Sequence, residues 1–196
     1  MALNAAAPLA PAIFIDKDGT LVQDIPYNVD VSRIALRPEA GPALAQLFDA
    51  GFLLILVTNQ PGIAQGRYEP ADLDAVWREL DRQLAPHGVH FTAIYYCPHD
   101  PGGCVALYAR PCDCHKPLPG MLLRAARQHR LDLGRSWMIG DILDDVEAAH
   151  AAGCRAVLLD VGSETEWRPG KLRQPDVVAP DLLAAAGSIV GQAVPA

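Results

Sequence analysis

The sequence predicts an α/β fold, a parallel sheet with helices on both faces. Three observations carry this. Short apolar runs alternate with amphipathic stretches over most of the 196 residues, the pattern of repeated strand–helix units. Phe52-Leu53-Leu54-Ile55-Leu56-Val57 is apolar without a break, as a strand covered on both faces must be. Finally, Asp16, Asp18, Thr58, Asn59 and Asp141 stand at or just past predicted strand ends, the edge where such sheets place their sites.

The elements follow in order. A first strand over 12–18 carries Ile13-Phe14-Ile15 into Asp16-Lys17-Asp18 and breaks at Gly19. Residues two apart in a strand share a face, so both carboxylates are expected to point at one spot. Residues Val22 to Arg37 are polar and irregular. Pro38 opens a helix over Glu39 to Ala50, with Leu44 and Leu47 on one face and Gly51 as its stop. The second strand, 52–57, runs into Thr58-Asn59-Gln60-Pro61-Gly62. An amphipathic helix over Asp72 to Leu84 presents Leu73, Val76, Leu80 and Leu84. Phe91 to Tyr96 is a third strand, and a cysteine-rich loop fills 97–114. A helix follows Pro119 to about Arg130, and Ser136 to Gly140 is a fourth strand ending at Asp141. An Ala-rich helix ends at Ala152 with Gly153 as its cap, and Arg155 to Leu159 is a fifth strand. A sixth strand at 176–179 and a helix from about Asp181 complete the expectation of one domain over 1–196, with flexible ends at 1–11 and 191–196.

At 51% hydrophobic and 20% charged residues, the chain is not composed like a disordered one. A net charge of -7 without a Lys/Arg block argues against a nucleic-acid partner. Met1 to Pro11 lacks the charged and apolar regions of a signal peptide, and no apolar run approaches the ~20 residues of a membrane span. The expectation is a cytoplasmic monomer acting on a small molecule, away from membranes.

The chemistry converges on one edge. Asp16 and Asp141 supply the hard oxygen ligands that Mg²⁺ prefers, and the cation explains how crowded carboxylates stay ionised. Lys116 offers positive charge to phosphate oxygens and Thr58 a hydroxyl donor. Asp16 is then the nucleophile toward phosphorus, and Asp18 the general acid and base. Asp144 and Asp145 remain open between supporting the site and capping the next helix.

Five cysteines are present, and four of them fall within positions 97 to 114. Cys97-Pro98-His99, twelve residues, then Cys112-Asp113-Cys114 gives C-x-H…C-x-C. Three thiolates and an imidazole suit a closed structural Zn²⁺ site; the bland alternative is a set of buried thiols. Cys104 is a spare that could replace His99, and Cys154 reads as a buried hydrophobe. Because Cys114 lies two residues before Lys116, a zinc clamp would fix the approach of Lys116 and His115.

Asp16-Lys17-Asp18-Gly19-Thr20-Leu21, Val57-Thr58-Asn59-Gln60, Lys116-Pro117 and Gly140-Asp141 with Asp145 resemble, in order, the four motifs of the haloacid dehalogenase-like (HAD) superfamily. The resemblance covers roughly residues 12 to 160. It implies a Rossmann-like core without a large cap and an aspartyl-phosphate intermediate on Asp16. It also implies Mg²⁺ held by Asp16, Asp141 and the backbone carbonyl of Asp18, with Thr58, Asn59 and Lys116 on phosphate. The zinc loop is similar to that of the subgroup holding heptose 1,7-bisphosphate phosphatases and histidinol-phosphate phosphatase domains, and its long gap and the run 58–66 are more like the former. The resemblance then implies removal of one phosphate from the heptose bisphosphate, leaving the 1-phosphate. Asp24, Tyr27, Gln60 and His115 are implied as substrate contacts, with Arg67 and Arg110 as candidates for a second phosphate. His115 stands where the family carries arginine, and Gln65 likewise. Histidinol phosphate or another small phosphate ester is the alternative substrate. A zinc-stabilised binding protein without activity is the remote alternative, which the intact set of Asp16, Asp18, Thr58, Lys116 and Asp141 argues against.

Overall fold

The computed structural model describes residues 8–193. Six strands, β1 (Ala12–Ile15), β2 (Leu53–Asn59), β3 (Ala93–Cys97), β4 (Trp137–Gly140), β5 (Arg155–Leu159) and β6 (Val177–Ala179), form one sheet in the order β3-β2-β1-β4-β5-β6. Every pairing is parallel. The helices are α1 (Ala40–Asp49), α2 (Leu73–Leu84), α3 (Gly120–His129), α4 (Leu143–Ala152) and α5 (Leu182–Ala193).

The apolar runs are sorted by the two-residue period of a strand. Ile13, Ile15, Leu54 and Leu56 pack with α1, α2 and α5 in one core cluster. Their neighbours Phe14, Ile55 and Val57 pack with α3 and α4 in a second cluster. Both sets are 0% exposed, which is why these strands read as unbroken hydrophobic runs. Burying each such side chain contributes about 1.5–3 kcal/mol. In the buried seam between β1 and β4, Ser136 Oγ accepts from Ala12 N at 2.9 Å and donates to Asp132 O at 2.6 Å.

Three strands differ in their bounds from the sequence reading, each for a reason of pairing. Strand β1 ends at Ile15 because Leu21 N and Val22 N both turn back to Lys17 O, at 2.9 and 3.0 Å. Asp16 and Asp18 therefore do not share a strand face; a turn presents them. Strand β2 is longer than expected, since β3 pairs with it through Thr58↔Tyr96 and Asn59↔Cys97. Strand β3 begins at Ala93 rather than at Phe91 and ends on Cys97.

The chain moves outward from β1 through β2 to β3, then returns to place β4 against the other side of β1. The switch point thus lies between β1 and β4, and Asp16 and Asp141 are the residues that follow their carboxyl ends. Among the described residues no insert of domain size covers this edge, and no helix is long and apolar enough to cross a membrane. Of the ends expected to be flexible, 1–7 and 194–196 lie outside the described residues; Ala10 N donates to Arg130 O at 3.1 Å.

Candidate active site

Lys116 is the centre of the site. It lies before α3, is 2% exposed, and donates to Asp16 Oδ1 and Asp145 Oδ1 at 2.5 Å each. Asp16 follows β1, while Asp145 sits in the first turn of α4 and is 0% exposed. Asp145 also accepts from Ile142 N at 3.4 Å. Asp145 thus both supports the site through Lys116 and caps α4 through Ile142 N, while Asp144 pairs outward with Arg173 at 2.7 Å. Carboxylate oxygens of Asp16, Asp141 and Asp145 lie within 4.8 Å of one another.

Three buried carboxylates face one ammonium, so full ionisation would leave two net negative charges. Burial therefore pushes the carboxyl of Asp16 well up, against the pull of Lys116; Asp145, Asp141 and Asp18 push in the same direction. Asp145 is likewise raised by burial, with Lys116 opposing. The shortfall matches a divalent cation, and the donors are the hard oxygens such an ion takes.

The DxD turn is built around close approach. Gly19 has φ +81°, and a Cβ there would stand 2.0 Å from Asp141 Oδ2. Thr20 is fully buried and donates to Asp141 Oδ1 at 2.9 Å. Arg37 Nε and Nη2 hold Gly19 O at 3.0 and 2.6 Å. Gln60 is buried, and its amide donates to Asp18 Oδ2 at 3.2 Å and Thr58 Oγ at 3.0 Å. Tyr68 OH donates to Gln60 Oε1 at 2.6 Å. Lys17, itself buried, contacts the other oxygen of Asp18.

A cavity of about 290 Å³ opens onto Asp16, Asp18, Asp24, Thr58, Asn59, Lys116 and Asp141, with Ile142 and Ser163 on its wall. A second lobe of about 250 Å³ shares Asp18, Asp24 and Asn59 and reaches Tyr27, Gln60 and Tyr68. Most of the residues singled out in the sequence thus meet along one cleft. His115 does not line it; its Nδ1 lies 2.9 Å from Lys116 O. Asn59 reaches the cleft, yet its amide grips Lys116 by both backbone groups, Nδ2 to O at 3.2 Å and N to Oδ1 at 3.0 Å. Arg110 is exposed and lines neither lobe. Arg67 stacks over Tyr27 at 3.9 Å.

The second candidate centre joins Cys97, His99, Cys112 and Cys114, whose ligand atoms all lie within 4.8 Å. Cys97 Sγ is 3.6 Å from Cys112 Sγ and 2.9 Å from Cys114 Sγ; His99 Nδ1 is 3.3 Å from Cys114 Sγ. A tetrahedron with ~2.3 Å metal–sulfur bonds has edges of ~3.8 Å, so the group is compact enough for one metal ion. The two thiols share one proton: the contact with Cys97, aided by His99, lowers Cys114, and the same contact raises Cys97. Cys104 is exposed and outside this group, against Gly66. Cys154 is buried, and burial raises its thiol to about 12.

The sequence reading missed Thr20, Arg37 and Tyr68 as supports and Ser163 on the wall. Thr20 was visible beside the glycine. Arg37 and Ser163 carry no local signal, because their partners lie far away along the chain.

The geometry at Gly19 makes a direct prediction. Gly19→Ala costs about 1–3 kcal/mol from the positive φ alone, more as Asp141 is displaced, and lowers the urea midpoint without changing the slope.

A family model described as HAD-hydrolase-like matches residues 113–185, which hold Lys116, Asp141 and Asp145. The chain is 39% identical over 161 residues to the D-glycero-beta-D-manno-heptose-1,7-bisphosphate 7-phosphatase of Yersinia pestis, covering 82% of each chain. It is equally identical over 170 residues to the enzyme of that name from Escherichia coli K12, covering 87% of this chain and 85% of that one. Among solved structures, D,D-heptose 1,7-bisphosphate phosphatase from B. bronchiseptica, complexed with magnesium and phosphate, superposes with a TM-score of 0.76 at 32% identity, over 93% of this chain and 99% of that one. With a parallel sheet, four motifs at one edge and relatives this similar over most of its length, the chain belongs to the HAD-like superfamily, in the family of these bacterial phosphatases, and is a phosphoric monoester hydrolase.

Proposed function

We propose that this enzyme removes the 7-phosphate of D-glycero-β-D-manno-heptose 1,7-bisphosphate, leaving the heptose 1-phosphate. The observation that carries the chemistry is the 2.5 Å contact of Lys116 with Asp16 at the floor of an open cleft. The substrate follows the relatives' names. Mg²⁺ would be held by Asp16, Asp141 and the backbone carbonyl of Asp18, where it would neutralise phosphate charge and polarise the phosphoryl oxygen.

In this reading the unshared oxygen of Asp16 attacks phosphorus. The bond from phosphorus to the sugar oxygen breaks, and Asp18 gives that oxygen its proton. Asp18 then takes a proton from water, whose oxygen attacks the same phosphorus, and the bond to Asp16 breaks to release phosphate. Lys116 balances the charge as it moves between carboxylate and phosphoryl group. Lys17 and Gln60 hold the carboxyl of Asp18 for both transfers. Thr58 and the turn after it receive the phosphate. Asp24 and Tyr27 face the sugar, and with no cap over the cleft the loops around it set specificity.

Zn²⁺ in the Cys97, His99, Cys112, Cys114 group would fix the loop that delivers Lys116. It supplies no reaction step there, because four protein ligands close its coordination.

Phosphate release from heptose 1,7-bisphosphate, histidinol phosphate and hexose phosphates, compared by kcat/KM, tests the substrate. The bisphosphate should lead, and Asp16→Asn should lose at least about 10³-fold. A wild type that prefers histidinol phosphate overturns the substrate; one that cleaves none overturns the whole reading. Metal analysis should find about one zinc per wild-type chain and none in Cys114→Ser. A zinc-free wild type contradicts the clamp.

A further inference from the structure

The loop between the metal-binding cysteines and the loop that faces the sugar are far apart in sequence, yet one chain of contacts joins them. Asp100 directly follows His99. Its Oδ2 accepts from Gln65 Nε2 at 2.8 Å, and its Oδ1 accepts from Gly102 N at 2.9 Å. Gln65 Oε1 in turn accepts from Arg67 Nε at 3.0 Å. The Arg67 guanidinium lies 3.9 Å from the centroid of the Tyr27 ring. Tyr27 has φ +58° and lines the second lobe of the cleft. The backbone reinforces the join: Cys104 N and Val105 N both donate to Ala64 O at 2.9 Å. A Cβ on Gly103 would stand 2.5 Å from that oxygen, so the two loops are in close contact.

Polarity matters along this chain. Asp100 can only accept and Arg67 can only donate. The side chain between them must donate at one end and accept at the other, as an amide does. A longer arginine at position 65 could not accept from Arg67. The glutamine therefore turns Arg67 toward the ring of Tyr27, at a distance where cation–π attraction holds it.

We propose that Gln65 and Asp100 are positioning residues for substrate recognition, holding Arg67 against Tyr27 so that the metal-binding loop sets the sugar-facing loop. This rests on the sugar-phosphate reading above. It gives Arg67 a second task beyond any contact with substrate, and it accounts for glutamine at position 65.

The test reverses the polarity of the pair. Gln65→Glu sets two carboxylates against each other, and Asp100→Asn leaves one carbonyl oxygen where two carboxylate oxygens accept from Gln65 and from Gly102, so one of those bonds is lost. In the double variant the new amide at position 100 donates to the new carboxylate at position 65. That carboxylate still accepts from Arg67, and the amide oxygen at position 100 can still accept from Gly102. Each single variant should raise KM about tenfold with kcat within about twofold, and speed amide hydrogen exchange over residues 24–28. The double variant should restore both to within about threefold. Metal content and Tm should match wild type throughout. Unchanged single variants, or a double variant as poor as the singles together, would overturn the proposal. Loss of metal in the singles would also overturn it, by making the pair structural. If the wild type releases no phosphate from the bisphosphate, the substrate reading fails alone, and exchange over 24–28 still decides the relay.

Discussion

One ammonium shared by two buried carboxylates is the constraint on which this molecule depends. Lys116, Asp16 and Asp145 come from the approach to α3, the end of β1 and the start of α4, and all three are buried. An isolated charge of either sign would cost several kcal/mol at such depth. The three elements can therefore meet only in the arrangement that pairs them. That arrangement still leaves an excess of negative charge once Asp141 is counted. The fold holds an incomplete electrostatic set at the one edge where it is open to solvent, and the missing part is a cation together with an anionic substrate.

The surrounding structure serves to keep this set in place. Asn59 holds the backbone of Lys116 from the end of β2, and Thr20 holds Asp141 from the DxD turn. The α4 side is fixed from the far loop, where Glu164 accepts from Leu143 N at 2.7 Å and Arg173 reaches Asp144 and Glu147. The cysteine-rich loop enters twice. It precedes Lys116 directly, and through Asp100 and Gln65 it reaches Tyr27. One structural metal would thus bear on both the reacting end and the sugar end of the cleft.

Much of this was legible in the sequence because it is written locally. Strands buried on both faces have to be continuous hydrophobic runs, and Ile13 to Ile15 and Leu53 to Val57 are. The carboxylates fall at strand ends, and the cysteines cluster. What escaped was set by distant partners. The length of β2 is fixed by its register with β3, so Thr58 and Asn59 are strand residues rather than loop residues. Asp16 and Asp18 were expected on one strand face, but a turn closed by Lys17 O presents them instead. Gln60 lines the second lobe of the cleft, and its buried amide also holds Asp18 and Thr58, a support that only the fold reveals. Only the fold brings Tyr68 and Arg37 to their posts.

The charge shortfall is tested most directly by titrating Mg²⁺ into metal-free protein by calorimetry, from about pH 5 to about pH 8. Burial raises the carboxyl of Asp16 on folding, so at this site the metal-free protein holds a proton more tightly than the unfolded chain does. The contribution of Asp16 to stability accordingly falls as pH climbs above the unfolded value of about 3.9. Mg²⁺ must displace that proton. Binding should release protons, and affinity should rise by up to about tenfold per pH unit until Asp16 is ionised, then level off. Affinity independent of pH with no proton release, or no binding at all, would contradict the account.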